Sequence, residues 1–226
     1  QIDMSNFKIG KMDVYVAEPA GTPKAAIIVI QEIFGVNPGI RQKCDDWAAA
    51  GYLAVAPDLF WRFAPGCNLD PDVESELQEA FGHFGVYDAN DGVTDIGAVL
   101  KEVRARGVAK VGCVGYCLGG RLAYMIAART DIDAAVGYYG VMIDQMLDEA
   151  AHIKKPLMLH IPTADGFVDS AAQATMHKGL DGNPLVTLHD YEGLDHGFAA
   201  TSGNRRDEAG AQLADARTAA FFEANL

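Results

Sequence analysis

A chain of 226 residues, half of them hydrophobic, can bury one full-sized core, so a single domain over residues 1–226 is the economical expectation. Eighteen Lys and Arg against 31 Asp and Glu leave a net charge of −13, which repels nucleic acid and anionic membrane surfaces and argues against both as partners. No apolar run approaches the ~20 residues of a membrane span, "QIDMSNFKIG" has no leader pattern, and the four cysteines form no CxxC pair, so a reducing cytoplasm and no metal are expected.

In chain order, "MDVYVAEP" (12–19) reads as an antiparallel edge strand, followed by a strand at 25–31, a helix at 39–50 and a strand at 52–59. Two helical patterns follow at 74–84 and 90–106. In the second, Ile96, Val99, Leu100 and Val103 recur at helical spacing while Lys101 and Arg104 face away. A strand at 110–116 leads into a helix at 118–129. Then come a strand at 134–140, a helix at 144–152, a strand at 157–162, a helix at 169–179, a strand at 186–191 and a helix at 207–224. Most strands are apolar on both faces, the mark of a parallel sheet covered on both sides. The expected fold class is α/β: one domain, a mostly parallel doubly wound sheet, helices on both faces.

The chemistry concentrates at "VGYCLGG" (114–120), a Gly-x-Cys-x-Gly at the end of an apolar strand and the start of a helix. A nucleophile on such a turn is held in strained backbone angles, so small neighbours are needed on both sides; Gly115 and Gly119 supply them, and Gly120 lets helix and strand approach. The turn aims Cys117 out at the carboxyl end of the sheet above a helix N-terminus, where N–H groups stabilise an oxyanion or a thiolate. Cys113, mid-strand, reads as a packing residue. An α/β-hydrolase arrangement requires nucleophile, acid and histidine in that chain order, each after a strand. Asp165 follows the strand "LMLHIP", and His196 follows "VTLHDY". Asp169 is a rival acid, though it opens a helix and reads as its N-cap, and Asp195 is also near, though adjacency to His196 points the two side chains apart. His160 and His189 lie within strands and read as core or sheet-edge residues.

The segments "VIQEIFGVNPGIR" (29–41), "YLAVAPDLF" (52–60), "KVGCVGYCLGGRLA" (110–123), "AVGYYGV" (135–141), "ADGFVD" (164–169) and "YEGLDHGFA" (191–199) together resemble the dienelactone hydrolase family over nearly the whole chain. The resemblance implies a Cys117–His196–Asp165 triad, a cofactor-free mechanism and an α/β-hydrolase fold without a lid domain, and residues 141–156 leave little room for one. It also implies that Glu32 accepts the proton of the resting thiol. The backbone N–H groups of Ile33 and Leu118 would form the oxyanion hole, and Phe34 and Tyr139 would line the pocket. An ion pair of Glu32 with Arg41 is the alternative role for that carboxylate. Two carboxylate-binding arginines of the family are replaced, at Ala200 and, in an ungapped match, at Leu77; residues 64–86 hold no Arg or Lys. Arg62, Arg205 or Arg206 could substitute from new places. The resulting expectation is thiolate-dependent hydrolysis of a small activated ester or lactone lacking that carboxylate, by a monomer or dimer. A thioesterase or acyl transferase on the same residues is one alternative. A non-catalytic ligand-binding or redox-sensing protein is the other.

Overall fold

The β-branched run Ile27–Ile30 and the apolar run 53–56 are fully buried, which is where strands with both faces covered belong. The computed structural model describes residues 2–226, in two compact units that meet in sequence between Gly112 and Cys113. Eight strands and six α-helices are found among the described residues, in a mostly parallel α/β arrangement.

The first unit contains β1 (Lys8–Ile9), β2 (Met12–Ala17), β3 (Ala26–Ile30) and β4 (Leu53–Pro57), hydrogen-bonded in the order β1-β2-β4-β3. β2 runs antiparallel to β4 as expected but is not the edge, since β1 lies outside it, while β3 and β4 are parallel with Ala26 opposite Leu53. β1, which pairs antiparallel with β2, was not expected, because two residues carry no periodicity. Helix α1 (Pro38–Ala49) starts where the Asn37 side chain accepts the Ile40 N–H at 3.1 Å, with Pro38 in the first turn, where a missing N–H costs nothing. Helix α2 (Glu74–Val86) buries only Ala80 and leaves Phe81 and Val86 exposed. Helix α3 (Ala89–Ala105) buries Ile96, Val99, Leu100 and Val103 on the stripe that the periodicity marks.

The change of unit falls inside β5 (Val111–Tyr116). The second unit continues with α4 (Leu118–Arg129), β6 (Ala134–Tyr138), β7 (Leu157–Pro162), α5 (Ser170–Leu180), β8 (Val186–Tyr191) and α6 (Glu208–Asn225). Its strand order is β5-β6-β7-β8, with β6, β7 and β8 parallel and β7 in register with β8 from Leu157↔Val186 to Pro162↔Tyr191. A Cβ on Gly137 would come within 2.9 Å of the Gly120 carbonyl of α4, whereas Tyr138 reaches Asp215 and Thr218 of α6. Adjacent strand residues face opposite ways, so α4 and α6 cover opposite faces.

The helix expected at 144–152 is instead two 3-10 segments, Ile143–Gln145 and Leu147–His152. Met142 at φ 64° and Met146 at φ −128° interrupt α-helical geometry on either side of the first. β8 is buried only in part, the pattern of the last strand in its unit rather than of a strand covered on both faces. No helix among the described residues is long and apolar enough to cross a membrane.

Candidate active site

Cys117 sits between β5 and α4 at φ 59° and ψ −113°, angles a non-glycine residue rarely holds and which cost on the order of 1–3 kcal/mol. The surroundings hold it there. Its N–H donates to the Tyr138 carbonyl at 3.0 Å, and its own carbonyl accepts from the N–H groups of Gly120 and Arg121 at 3.0 and 3.1 Å. A Cβ on Gly115 would collide with the Gly119 carbonyl, and one on Gly120 would lie 2.6 Å from the Tyr138 oxygen. The glycines around the cysteine are therefore steric requirements of the turn. Leu118 opens α4, and its N–H is among the first-turn groups for which a helix has no internal acceptor.

Past the last ladder pair, Pro162↔Tyr191, the two loops stay zipped together. The Thr163 N–H donates to the Tyr191 carbonyl at 3.0 Å, the Ala164 N–H to the Leu194 carbonyl at 2.9 Å, and the Gly193 N–H to the Thr163 hydroxyl at 2.8 Å. Asp195 Oδ1 then accepts the N–H of Gly166 at 2.9 Å and of His196 at 2.6 Å. This clamp brings Asp165 Oδ2 to 3.0 Å from His196 Nδ1, while Asp165 Oδ1 accepts the Phe167 N–H at 2.8 Å. The Asp165 side chain is 1% exposed and that of His196 8%. Burial alone would lower the His196 pKa. The ring's interactions with Cys117 and Asp165, hydrogen bonds to both included, outweigh burial and raise the imidazole to about 10. Cys117, His196 and Asp165 are thus in one constellation, with Nδ1 held by the carboxylate and Nε2 left for the sulfur.

Tyr139 lies with its ring 5.0 Å from His196 and 5.5 Å from Phe198, at a second strained backbone position of φ 39°. Phe167, which the sequence did not single out, is 61% exposed yet meets His196 edge-on at 4.8 Å. Asp169 caps α5 through the Ala172 N–H at 2.8 Å. His160 is buried between the Tyr191 hydroxyl and Thr218 Oγ1, at 2.7 and 2.8 Å. Cys113 is fully buried, and burial pushes its thiol up to about 12, in keeping with a packing role.

In the first unit, Ile33 and Phe34 form a tight turn between Glu32 and Gly35, which pair across it, and all three of Glu32, Ile33 and Phe34 are buried. Gly35 is required at φ 77°, where a Cβ would strike the Cys67 carbonyl. The Phe34 carbonyl accepts the Leu69 N–H at 3.0 Å. Gln31, fully buried and overlooked in the sequence, donates to the Glu32 carbonyl at 3.1 Å and accepts the Leu59 N–H at 2.9 Å, so it ties the end of β3 to the chain after β4. Arg41 donates to the Val36 carbonyl at 2.7 Å. Leu77 lies on α2, and Ala200 is buried. Of the three candidate cations, Arg62 grips Asp95 with two bonds of 2.7 and 3.0 Å, and Arg206 holds Glu208 and the Ala200 carbonyl. Arg205 lies against Gly197, with Nη1 2.7 Å from where a Cβ would stand. No group of three or more His, Cys, Asp or Glu among the described residues is placed to hold a metal ion.

A strained turn between strand and helix, followed in order by an acid and a histidine on the loops of a mostly parallel sheet, defines the α/β-hydrolase class. The family model for the dienelactone hydrolase family matches residues 12–226. A carboxymethylenebutenolidase of Pseudomonas putida is 39% identical over 209 residues, which are 92% of this chain and 89% of that protein. A provisionally named carboxymethylenebutenolidase of Azospirillum brasilense is 44% identical over 219 residues, 96% of this chain and 95% of its own. The crystal structure of a provisionally named dienelactone hydrolase from Klebsiella pneumoniae superposes with a TM-score of 0.82 at 27% identity, over 94% of this chain and 92% of that one. The chain belongs to the dienelactone hydrolase family and is a hydrolase.

Proposed function

We propose that the chain hydrolyses a small activated ester or lactone through a Cys117 thioester. The observation that carries this reading is His196 hydrogen-bonded to both Cys117 and the buried Asp165, with its imidazole raised to about 10 by them. An imidazole so raised is protonated at neutral pH and can balance the charge of a Cys117 thiolate once it forms. The thiolate attacks the carbonyl carbon, forming a C–S bond, and the oxyanion is met by the Leu118 N–H and, following the family resemblance, by that of Ile33. Collapse expels the alkoxide or enolate, which takes its proton from His196. Neutral His196 then deprotonates a water that attacks the thioester, and collapse returns the thiolate and releases the acid. Thiolate is itself a good leaving group, so activated substrates such as enol esters are favoured over alkyl esters or amides. Glu32 as acceptor of the resting thiol's proton rests on the resemblance alone.

Ala200 and Leu77, where carboxylate-binding arginines are expected, support a substrate without a carboxylate. One observation favours a second reading: Arg205 lies on Gly197, next in the chain to His196, where a substrate carboxylate could find a cation. The test is a rate comparison of cis- and trans-dienelactone with p-nitrophenyl acetate, with Cys117→Ala as the blank and Glu32→Gln alongside. Ester turnover that Cys117→Ala abolishes, with slow dienelactone turnover, is the expected result. Fast dienelactone turnover would favour the second reading. Activity that survives Cys117→Ala would end the thioester mechanism, and ligand binding without turnover would favour a binding or redox-sensing protein. A wild-type rate for Glu32→Gln would return that carboxylate to a structural role.

A further inference from the structure

We propose that Asp195 is a positioning residue that holds Asp165 and His196 in register; its kinetic consequence rests on the catalytic reading above. A single oxygen, Asp195 Oδ1, accepts two backbone N–H groups, one from each loop: Gly166 at 2.9 Å and His196 at 2.6 Å. Gly166 directly follows Asp165, so these two bonds fix the main chain on both sides of the 3.0 Å Asp165–His196 contact. Of the preceding rungs between the loops, Thr163 to Tyr191 and Ala164 to Leu194 are made by main-chain carbonyls and Gly193 to Thr163 by a hydroxyl. At the last rung a single side-chain oxygen accepts from both loops at once. The Asp195 side chain is otherwise exposed, so it adds nothing to the core that a smaller residue would lose. Its contribution is geometric.

Asp195→Ala removes the shared acceptor, whereas Asp195→Asn keeps a side-chain oxygen that can accept both amides. Each full-length variant is compared with wild type for kcat and KM on p-nitrophenyl acetate, for Tm, and for the NMR resonance of the His196 Nδ1 proton. With the acid and base loops free to shift by a fraction of an ångström, Asp195→Ala should lower kcat roughly 10- to 100-fold with KM little changed. The Nδ1 proton resonance should move or broaden in the same variant, and Asp195→Asn should restore both. A wild-type kcat and resonance in Asp195→Ala would overturn the proposal. So would an Asn variant as impaired as Ala, because charge rather than acceptor geometry would then be the cause. An inactive wild type would sink the catalytic reading instead, and the resonance alone would decide: moved in Ala and restored in Asn supports the staple, unmoved overturns it. If the Ala variant does not fold, Asp195→Ser, whose short hydroxyl reaches at most one amide, takes its place in the same comparison.

Discussion

Cys117 and Tyr139 occupy backbone angles that favour glycine, at φ 59° and 39°, and both end beside the same histidine. Strain of this kind persists only where the surroundings over-determine it. The electrostatic counterpart is the raised His196. Its folded value of about 10 lies above the ordinary 6.5, so the stability it contributes is fully present below pH ~6.5 and is lost as pH rises through about 10. Cys117→Ser removes the neighbour whose interaction does most to raise it. The imidazole should then titrate at lower pH by NMR, and the alkaline loss of stability should begin correspondingly lower; an unchanged titration would assign the whole effect to Asp165. The candidates Cys117, Asp165 and His196 stand out in the sequence because glycine spacing and chain order are written in residue types. Asp195, by contrast, looked only like a neighbour of His196. Its partners are main-chain N–H groups, which leave no trace in a pattern of side chains. Nothing in "GYYGV" announced that Tyr139 would take a left-handed turn.

At the scale of elements, α6 is tied to the sheet by a buried polar chain. Arg217 donates to the Tyr191 hydroxyl at 3.2 Å, and as arginine has no acceptor, the Tyr191 proton is directed at His160 Nδ1 2.7 Å away. His160 Nε2–H then faces Thr218 Oγ1 at 2.8 Å, and Tyr138 links Thr218 to Asp215 at 2.7 and 2.8 Å. Burial, with the nearby His189 and Arg217, holds the His160 pKa well below the usual value, so the ring stays neutral in the folded protein. The sign is opposite to that of His196. Below pH ~6.5 the unfolded chain binds a proton that the folded one refuses, so stability falls with acid, by up to about 1.4 kcal/mol per pH unit. Urea titrations between pH 6.5 and pH 5 should show that slope, and His160→Gln, though less stable at pH 8, should reduce it. An equal slope in the variant would place the acid sensitivity elsewhere. The strands of this unit were readable as apolar runs, and His160 as a core residue. The 3-10 segments at 143–152 were not, because Met142 and Met146 break the helix through backbone angles that methionine does not advertise.

At the scale of the whole molecule, the net charge of −13 acts on every ligand before it reaches a site. An anionic substrate approaches against this field and a neutral one does not, and salt screens the difference within about 10 Å at 0.1 M. Raising ionic strength through that range should increase kcat/KM for dienelactone and leave p-nitrophenyl acetate unaffected. Equal responses would mean that cations close to the site, Arg205 foremost, dominate the approach. The broad class was legible from strand–helix alternation, since a doubly wound sheet follows from periodicity and connection length.

Helix α4, which begins beside Cys117, buries ten of its twelve residues, whereas α2 buries only Ala80. Leu77, one of the two positions where the family resemblance expects a substrate-binding arginine, is on α2. Exchanges on so lightly anchored a helix cost little in folding, while those on α4 disturb a packed interior. Change on α2 is therefore cheap and change beside Cys117 dear, so sequences that share this architecture can drift along one helix while the other is held fixed.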